Sequence, residues 1–246
     1  MNNPDSPVAF RPVVLMPTYN NAGTLEAVMN GVAGLNLPIM VVDDGSTDGT
    51  ATVLARWDGR AIRLRHPVNR GKAAALRTGF SEALANGFTH AATIDTDGQL
   101  DPSQLPGLLR CSQERPRALT LGVRSWEIAN CPPKNVVARR LSNAAIRLQC
   151  GVRIQDSQCG LRVYPLDLMR HIRVKSNRYS FEAEAITHSV WAGCPVVQVP
   201  IQCSYAPEGE RVSHFDPWRD TTRGVLRHLA ALARSLTPWP HRPWRN

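Results

Sequence analysis

The strongest constraint on the fold is a rhythm. Through the first half of the chain, short apolar runs alternate with longer stretches of helical spacing. Val13-Val14-Leu15-Met16, Ile39-Met40-Val41-Val42, Ile62-Arg63-Leu64, Ala91-Ala92-Thr93-Ile94 and Ala118-Leu119-Thr120-Leu121 read as strands; segments near 24–34, 48–57, 71–86 and 103–111 read as helices. Alternation at this spacing implies an α/β fold, with a mostly parallel, twisted sheet and helices on both faces. The chain has 246 residues, enough for one large domain with an extension, and its 43% hydrophobic content supplies a core. Ligands of such sheets bind beyond the carboxyl ends of the strands, so the segments after each apolar run are where chemistry is expected.

After Pro132-Pro133 the texture changes. A helix is expected over 136–149, followed by Asp156-Ser157-Gln158-Cys159-Gly160-Leu161-Arg162, a second helix over 181–191, and a strand pair at 196–199 and 201–204. Residues 206–217 read as a polar loop. The α/β domain is therefore expected to span 1–217, and 218–246 to form a basic amphipathic helix with a Trp/Arg/Pro tail. Val225, Leu226, Leu229, Leu232, Ala233 and Leu236 fall on one face of that helix, and most of its arginines lie off it. Such a segment suits the peripheral surface of a membrane, or else packs on the domain.

The net charge of +9 fits polyanions, phosphorylated substrates or an anionic membrane and does not choose among them. No nucleic-acid recognition module is present, so no nucleic-acid partner is expected. There is no apolar stretch of membrane-spanning length, and residues 1–12 lack the apolar region of an export signal. The six cysteines show no Cys-x-x-Cys pair or zinc-like spacing; reduced thiols and a cytoplasmic location, extending to the inner face of the membrane, are expected.

Four strand ends carry polar groups. The first ends in Pro17-Thr18-Tyr19-Asn20-Asn21, and the second in Asp43-Asp44-Gly45-Ser46-Thr47-Asp48-Gly49-Thr50. Carboxylates there can accept hydrogen bonds from a nucleobase or a ribose. The third leads to Asn69-Arg70-Gly71-Lys72 at a helix start, where backbone N–H groups and a lysine favour an anion. The fourth ends in Asp95-Thr96-Asp97-Gly98-Gln99, which brings hard oxygen ligands suited to Mg2+ or Mn2+ beside a diphosphate. An Asp-Gly turn accounts for the same residues without a metal.

In this order the four segments resemble the family 2 glycosyltransferases of GT-A fold, over roughly residues 12–205. The nearest subgroup is similar to the polyprenyl-phosphate sugar transferases, typified by dolichyl-phosphate mannosyltransferase. The resemblance implies that Pro17, Tyr19, Asp43, Asp44, Lys72, Asp95 and Thr96 bind the nucleotide sugar and that Asp95, Asp97 and Gln99 hold the divalent ion. It also implies that Arg124, Arg139, Ser142, Arg211 and Ser213 meet phosphates of donor or acceptor, with Asp156, Arg124 and Asp97 at the reacting centre. Asp156 serves as general base if the acceptor is a hydroxyl; if the acceptor is a phosphate, it orients sugar hydroxyls or braces the Arg162 loop. Of Glu182 and Glu184, at most one is expected to reach the site.

Asn21, Ala73 and His214 depart from the usual pattern, and the Gln-x-x-Arg-Trp signature of processive synthases is absent. The expected activity is therefore inverting, metal-dependent transfer of a single sugar from a nucleotide-diphosphate sugar to a lipid acceptor such as a polyprenyl phosphate. The alternatives are a hydroxyl acceptor and, in a different class, a nucleotide-sugar-binding protein without catalysis. A nucleotidyltransferase is disfavoured, since Pro-Thr-Tyr-Asn stands where its glycine-rich loop would be.

Overall fold

The computed structural model describes residues 9–125, 131, 133–176, 180–204, 228–236 and 243–244. The strands are β1 (Pro12–Thr18), β2 (Ile39–Asp43), β3 (Ile62–Arg65), β4 (His90–Thr93), β5 (Leu119–Arg124), β6 (Arg162–Pro165) and β7 (Val196–Ile201). They form one sheet in the order β3-β2-β1-β4-β6-β5-β7. All neighbours pair in parallel except where β6 runs antiparallel between β4 and β5. The helices are α1 (Ala22–Ala33), α2 (Thr50–Ala55), α3 (Lys72–Ala85), α4 (Leu105–Glu114), α5 (Pro133–Cys150), α6 (Leu166–His171) and α7 (Phe181–Trp191), and residues 228–235 form a further helical segment.

The central strands are apolar on successive residues because both their faces are covered. Val13 and Leu15 of β1 pack with Met40 and Val42 of β2 against α3, α6 and α7. Val14 and Met16 pack with Ile39 and Val41 against α1, α2 and α4. Helix α3 comes so close to the sheet that a side chain at Gly79 would overlap Leu15, which accounts for its alanine- and glycine-rich sequence. Gly79→Val is expected to destabilise the fold by about 1–3 kcal/mol through overpacking, read from urea unfolding.

Two expectations need correction. Residues 162–165 form a strand that the apolar-run pattern did not mark, because a fully buried arginine, Arg162, starts it. The expected strand pair at 196–204 is one strand, β7, running through Pro200. Proline is tolerated there because β7 lies at the edge of the sheet. In the C-terminal helical segment, Leu229 and Leu236 are exposed and Leu232 is partly buried. The segment meets the domain through His228, its ring nitrogens 3.3 Å from Ser142 Oγ and 3.0 Å from Gln149 Nε2, and through Arg234, 5.9 Å over the Trp191 ring.

Residues 205–227, which include Val225, Leu226 and the expected domain boundary, lie outside the described residues. In the tail, Trp244 packs on the domain. Its indole N–H donates to Asp167 Oδ2 at 3.0 Å, its backbone N–H donates to Ala192 O, and Arg117 stacks over its ring at 4.1 Å.

Candidate active site

The carboxyl ends of β1, β2, β4 and β5 open on one edge of the sheet, and the antiparallel β6 brings its amino end, with the 156–161 loop, to the same edge. Two constellations form there. The first surrounds Asp95 and Asp97, just past β4. Lys72 Nζ lies 2.6 Å from Asp95 Oδ1 and 2.7 Å from Glu182 Oε1. Burial works against the lysine's charge, but the two carboxylates more than offset it and raise its pKa. The lysine expected to meet a ligand is thus held by two protein carboxylates.

Burial and the neighbouring Asp95 charge push the Asp97 carboxyl up to about 6, against the opposing hydrogen bond from the Gln99 N–H. The Oε2 atom of Glu182 is buried without a hydrogen-bond partner. Three carboxylates therefore face one ammonium, a deficit of positive charge that suits a divalent cation. No group of three His, Cys, Asp or Glu side chains close enough to hold a metal by themselves occurs among the described residues. A cation on Asp95 and Asp97 would need further oxygen donors, such as the Gln99 amide and a diphosphate.

The Asp95 carboxylate lies directly against the α-carbon of Gly160, where a Cβ would overlap it. The 156–161 loop is pinned at that point by the Thr93 hydroxyl, which donates to Gly160 O at 2.7 Å. Gly160→Ala must displace Asp95, and a shift of about 1 Å there is expected to lower kcat on the order of 10²-fold. Steady-state kinetics beside a thermal melt will separate this from unfolding.

The second constellation centres on Asp156, which is fully buried. Arg124, at the end of β5, grips it bidentately: Nε donates to Oδ2 at 2.7 Å and Nη2 to Oδ1 at 3.0 Å. Arg139 of α5 adds Nη1 at 3.3 Å and also donates to the carbonyls of Arg124 and Ser125. Burial opposes ionisation of Asp156, yet the hydrogen bonds and charge of Arg124, reinforced by Arg139, hold its carboxyl below the usual range. Ser142 accepts from the Ser157 hydroxyl at 2.9 Å and meets His228. Within the loop Asp156 Oδ1 accepts from the Gln158 N–H at 3.1 Å, and Arg162 braces it from beneath, donating to the carbonyls of Ser157 and Cys159 and to that of Glu182 on α7.

The expected nucleoside residues divide. Pro17 is buried at the end of β1, and Tyr19 is partly exposed just beyond it. Thr96 is buried and ties the strand ends together, its hydroxyl accepting from Asn21 Nδ2 at 2.8 Å and donating to Thr18 Oγ1 at 3.1 Å. Asp43 is buried, accepts from Ser46 N–H at 2.8 Å and lies 3.4 Å from Arg65 Nε.

Asp44, also buried, faces His66 Nδ1 at 2.6 Å and accepts from the backbone N–H groups of Arg70 at 3.0 Å and Gly71 at 2.7 Å. The anion at the start of α3 is thus the protein's own. Arg211 and Ser213, with His214, lie outside the described residues. Of the two helix acids, Glu182 reaches the site, whereas Glu184 turns to the backbone of Lys175 and Ser176. The link from Glu182 to Lys72 was missed from sequence; its one trace was an acid in the first turn of a mostly apolar helix.

The profile of Glycosyl transferase family 2 matches residues 13–172, which include Lys72, Asp95, Asp97, Arg124, Arg139 and Asp156. The chain belongs to this family. It is therefore a glycosyltransferase, an enzyme that moves a sugar from a nucleotide sugar. It is 30% identical over 213 residues to polyprenol monophosphomannose synthase of Mycolicibacterium smegmatis, covering 80% of each chain. It is 28% identical to undecaprenyl-phosphate mannosyltransferase of Micrococcus luteus, over 78% of this chain and 83% of that one. Among solved structures, glucosyl-3-phosphoglycerate synthase from Mycobacterium tuberculosis, in complex with Mn2+, uridine-diphosphate-glucose and phosphoglyceric acid, superposes with a TM-score of 0.68. That likeness covers 95% of this chain and 85% of the other at 18% identity, and it establishes the shared fold.

Proposed function

We propose that this glycosyltransferase moves one sugar, with inversion, from a nucleotide-diphosphate sugar to the phosphate of a polyprenyl phosphate. The observation that carries the reading is the state of Asp156: buried, ionised and gripped by two guanidiniums. A carboxylate so held is a poor proton acceptor, which counts against a hydroxyl acceptor that needs a base. A phosphate acceptor is already anionic and needs none. The names of the relatives from Mycolicibacterium and Micrococcus support the same acceptor class.

In this proposal Pro17 and Tyr19 border the nucleoside, while Asp43, Asp44 and Thr96 shape the loops beneath it. Asp95, Asp97 and Gln99 hold Mg2+ or Mn2+, which when bound offsets the charge gathering on the departing nucleotide. Lys72, 2.6 Å from Asp95 Oδ1, keeps that carboxylate aligned. Asp156 fixes Arg124 and Arg139 where the acceptor phosphate approaches the anomeric carbon, with Ser142 beside them. Arg211 and Ser213 are assigned to the diphosphate.

The test is product formation from labelled nucleotide sugars, offered undecaprenyl phosphate or undecaprenol with Mn2+. Product is expected with the phosphate alone, lost in EDTA and restored by Mn2+. Comparable turnover of the alcohol would overturn the acceptor assignment and return Asp156 to the role of base.

A further inference from the structure

Glu182 is a buried acid at the back of the catalytic edge, 5% exposed in the first turn of α7. Its position is fixed from three sides. Phe181, beside it in the chain, is fully buried and packs on Phe80 and Tyr164. The Glu182 carbonyl accepts from Arg162 Nη1 at 2.7 Å. Its Oε1 meets Lys72 Nζ at 2.7 Å. A carboxylate so enclosed carries a desolvation penalty that a charged partner must offset.

Arg162, a buried cation on the same side, commits its guanidinium to the carbonyls of Ser157, Cys159 and Glu182 and to the Tyr164 hydroxyl. Glu184, two residues on, turns its carboxylate to the backbone of Lys175 and Ser176. Among the described residues the Glu182 carboxylate therefore pairs with Lys72, and its Oε2 is left without a hydrogen-bond partner. Buried carboxylate oxygens without a donor are uncommon, and this one calls for a role beyond stability.

The role follows from what else Lys72 touches. Its ammonium holds Asp95 Oδ1 at 2.6 Å, and a cation on that carboxylate repels any second cation brought to it. Alignment of Asp95 by Lys72 thus works against the divalent ion proposed for Asp95 and Asp97. We infer that Glu182 is a positioning residue for that ion: its carboxylate offsets the Lys72 charge, so that the lysine aligns Asp95 and leaves it able to hold the ion. With Glu182 ionised, one divalent ion balances the three carboxylates and the ammonium; with a neutral side chain there, the same ion leaves a surplus positive charge. The unpartnered Oε2 offers the ammonium a further acceptor on Glu182. Glu182 acts through Lys72, not by ligating the ion, and the inference rests on the proposed metal site.

The test is Mn2+ binding to the full chain without nucleotide sugar or acceptor, read from the loss of the free Mn2+ signal in electron paramagnetic resonance. Glu182→Gln is expected to weaken that binding about tenfold or more, with its fold checked by a thermal melt in EDTA. Glu182→Asp keeps a carboxylate on a shorter arm and should show a smaller loss in the same direction. In a Lys72→Met background no ammonium remains to be offset, so Glu182→Gln should cause no further loss. An equal loss in both backgrounds overturns the inference, because Glu182 would then act on the ion directly or through the fold. Equal Mn2+ binding by wild type and both Glu182 variants overturns this inference alone. A wild type that takes up no Mn2+ overturns the proposed metal site, and the inference with it.

Discussion

Asp156→Ala is expected to destabilise the protein by about 3–5 kcal/mol, the usual cost of removing one partner of a buried ion pair. In the variant the Arg124 and Arg139 guanidiniums lose a carboxylate that is fully buried between them. The melting temperature should fall by roughly 10 °C; Asp156→Asn, which keeps the volume and some hydrogen-bond acceptance, should lose less.

The pH dependence has a definite sign. The folded-state pKa of Asp156 lies below its ordinary value of 3.8, so its contribution is present above that value and is lost as pH falls through the folded-state pKa. The gap in stability between wild type and variant, measured by urea unfolding, should therefore be full at pH 7 and close only in strong acid. A variant of unchanged stability whose kcat alone falls, with loss of the acidic limb in the pH profile, would contradict this account and identify Asp156 as a base.

Asp97→Asn should do the reverse, abolishing function while sparing the fold. Burial and the Asp95 charge make ionisation of Asp97 unfavourable, lifting its pKa to about 6. A carboxyl raised in the folded state stabilises it at low pH, and that contribution is lost as pH rises from about 4 through about 6. Removing the charge is thus expected to hold or raise the melting temperature by a few degrees at pH 7 in EDTA. Turnover should drop on the order of 10³-fold, and the thermal stabilisation that Mn2+ gives the wild type should disappear. Scanning calorimetry with and without Mn2+ reads both effects. A variant that Mn2+ still stabilises fully would move the metal site elsewhere.

The parts of the fold that the sequence made legible are those written in local pattern. β1, β2 and β4 are buried on both faces, so they appear as continuous apolar runs, and the polar residues just after them mark the catalytic edge. β6 stayed hidden because Arg162 interrupts its run, and its burial is intelligible only through the carbonyls of Ser157, Cys159 and Glu182, supplied by distant turns of the chain. Pro200 split β7 in two, since an edge strand cannot be told from a broken one before the sheet order is known.

The site follows the same division. The presence of Asp44, Lys72, Asp95 and Asp156 could be read from the residues and their order. Their partners are set by three-dimensional proximity, with Asp44 bonded 27 residues along the chain at Gly71 and Asp156 bonded 32 residues back at Arg124. Sequence therefore identified acids without showing which are turned inward.

The carboxylate of Asp44 at the start of α3 has a selective consequence. That helix end is a ready receptor for small oxyanions, and the protein fills it with a tethered one, held by two backbone N–H groups and His66. Free phosphate, abundant in any cell, must compete there against a ligand whose effective concentration is set by the chain itself. A phosphate would have to displace that carboxylate before the two N–H groups could receive it.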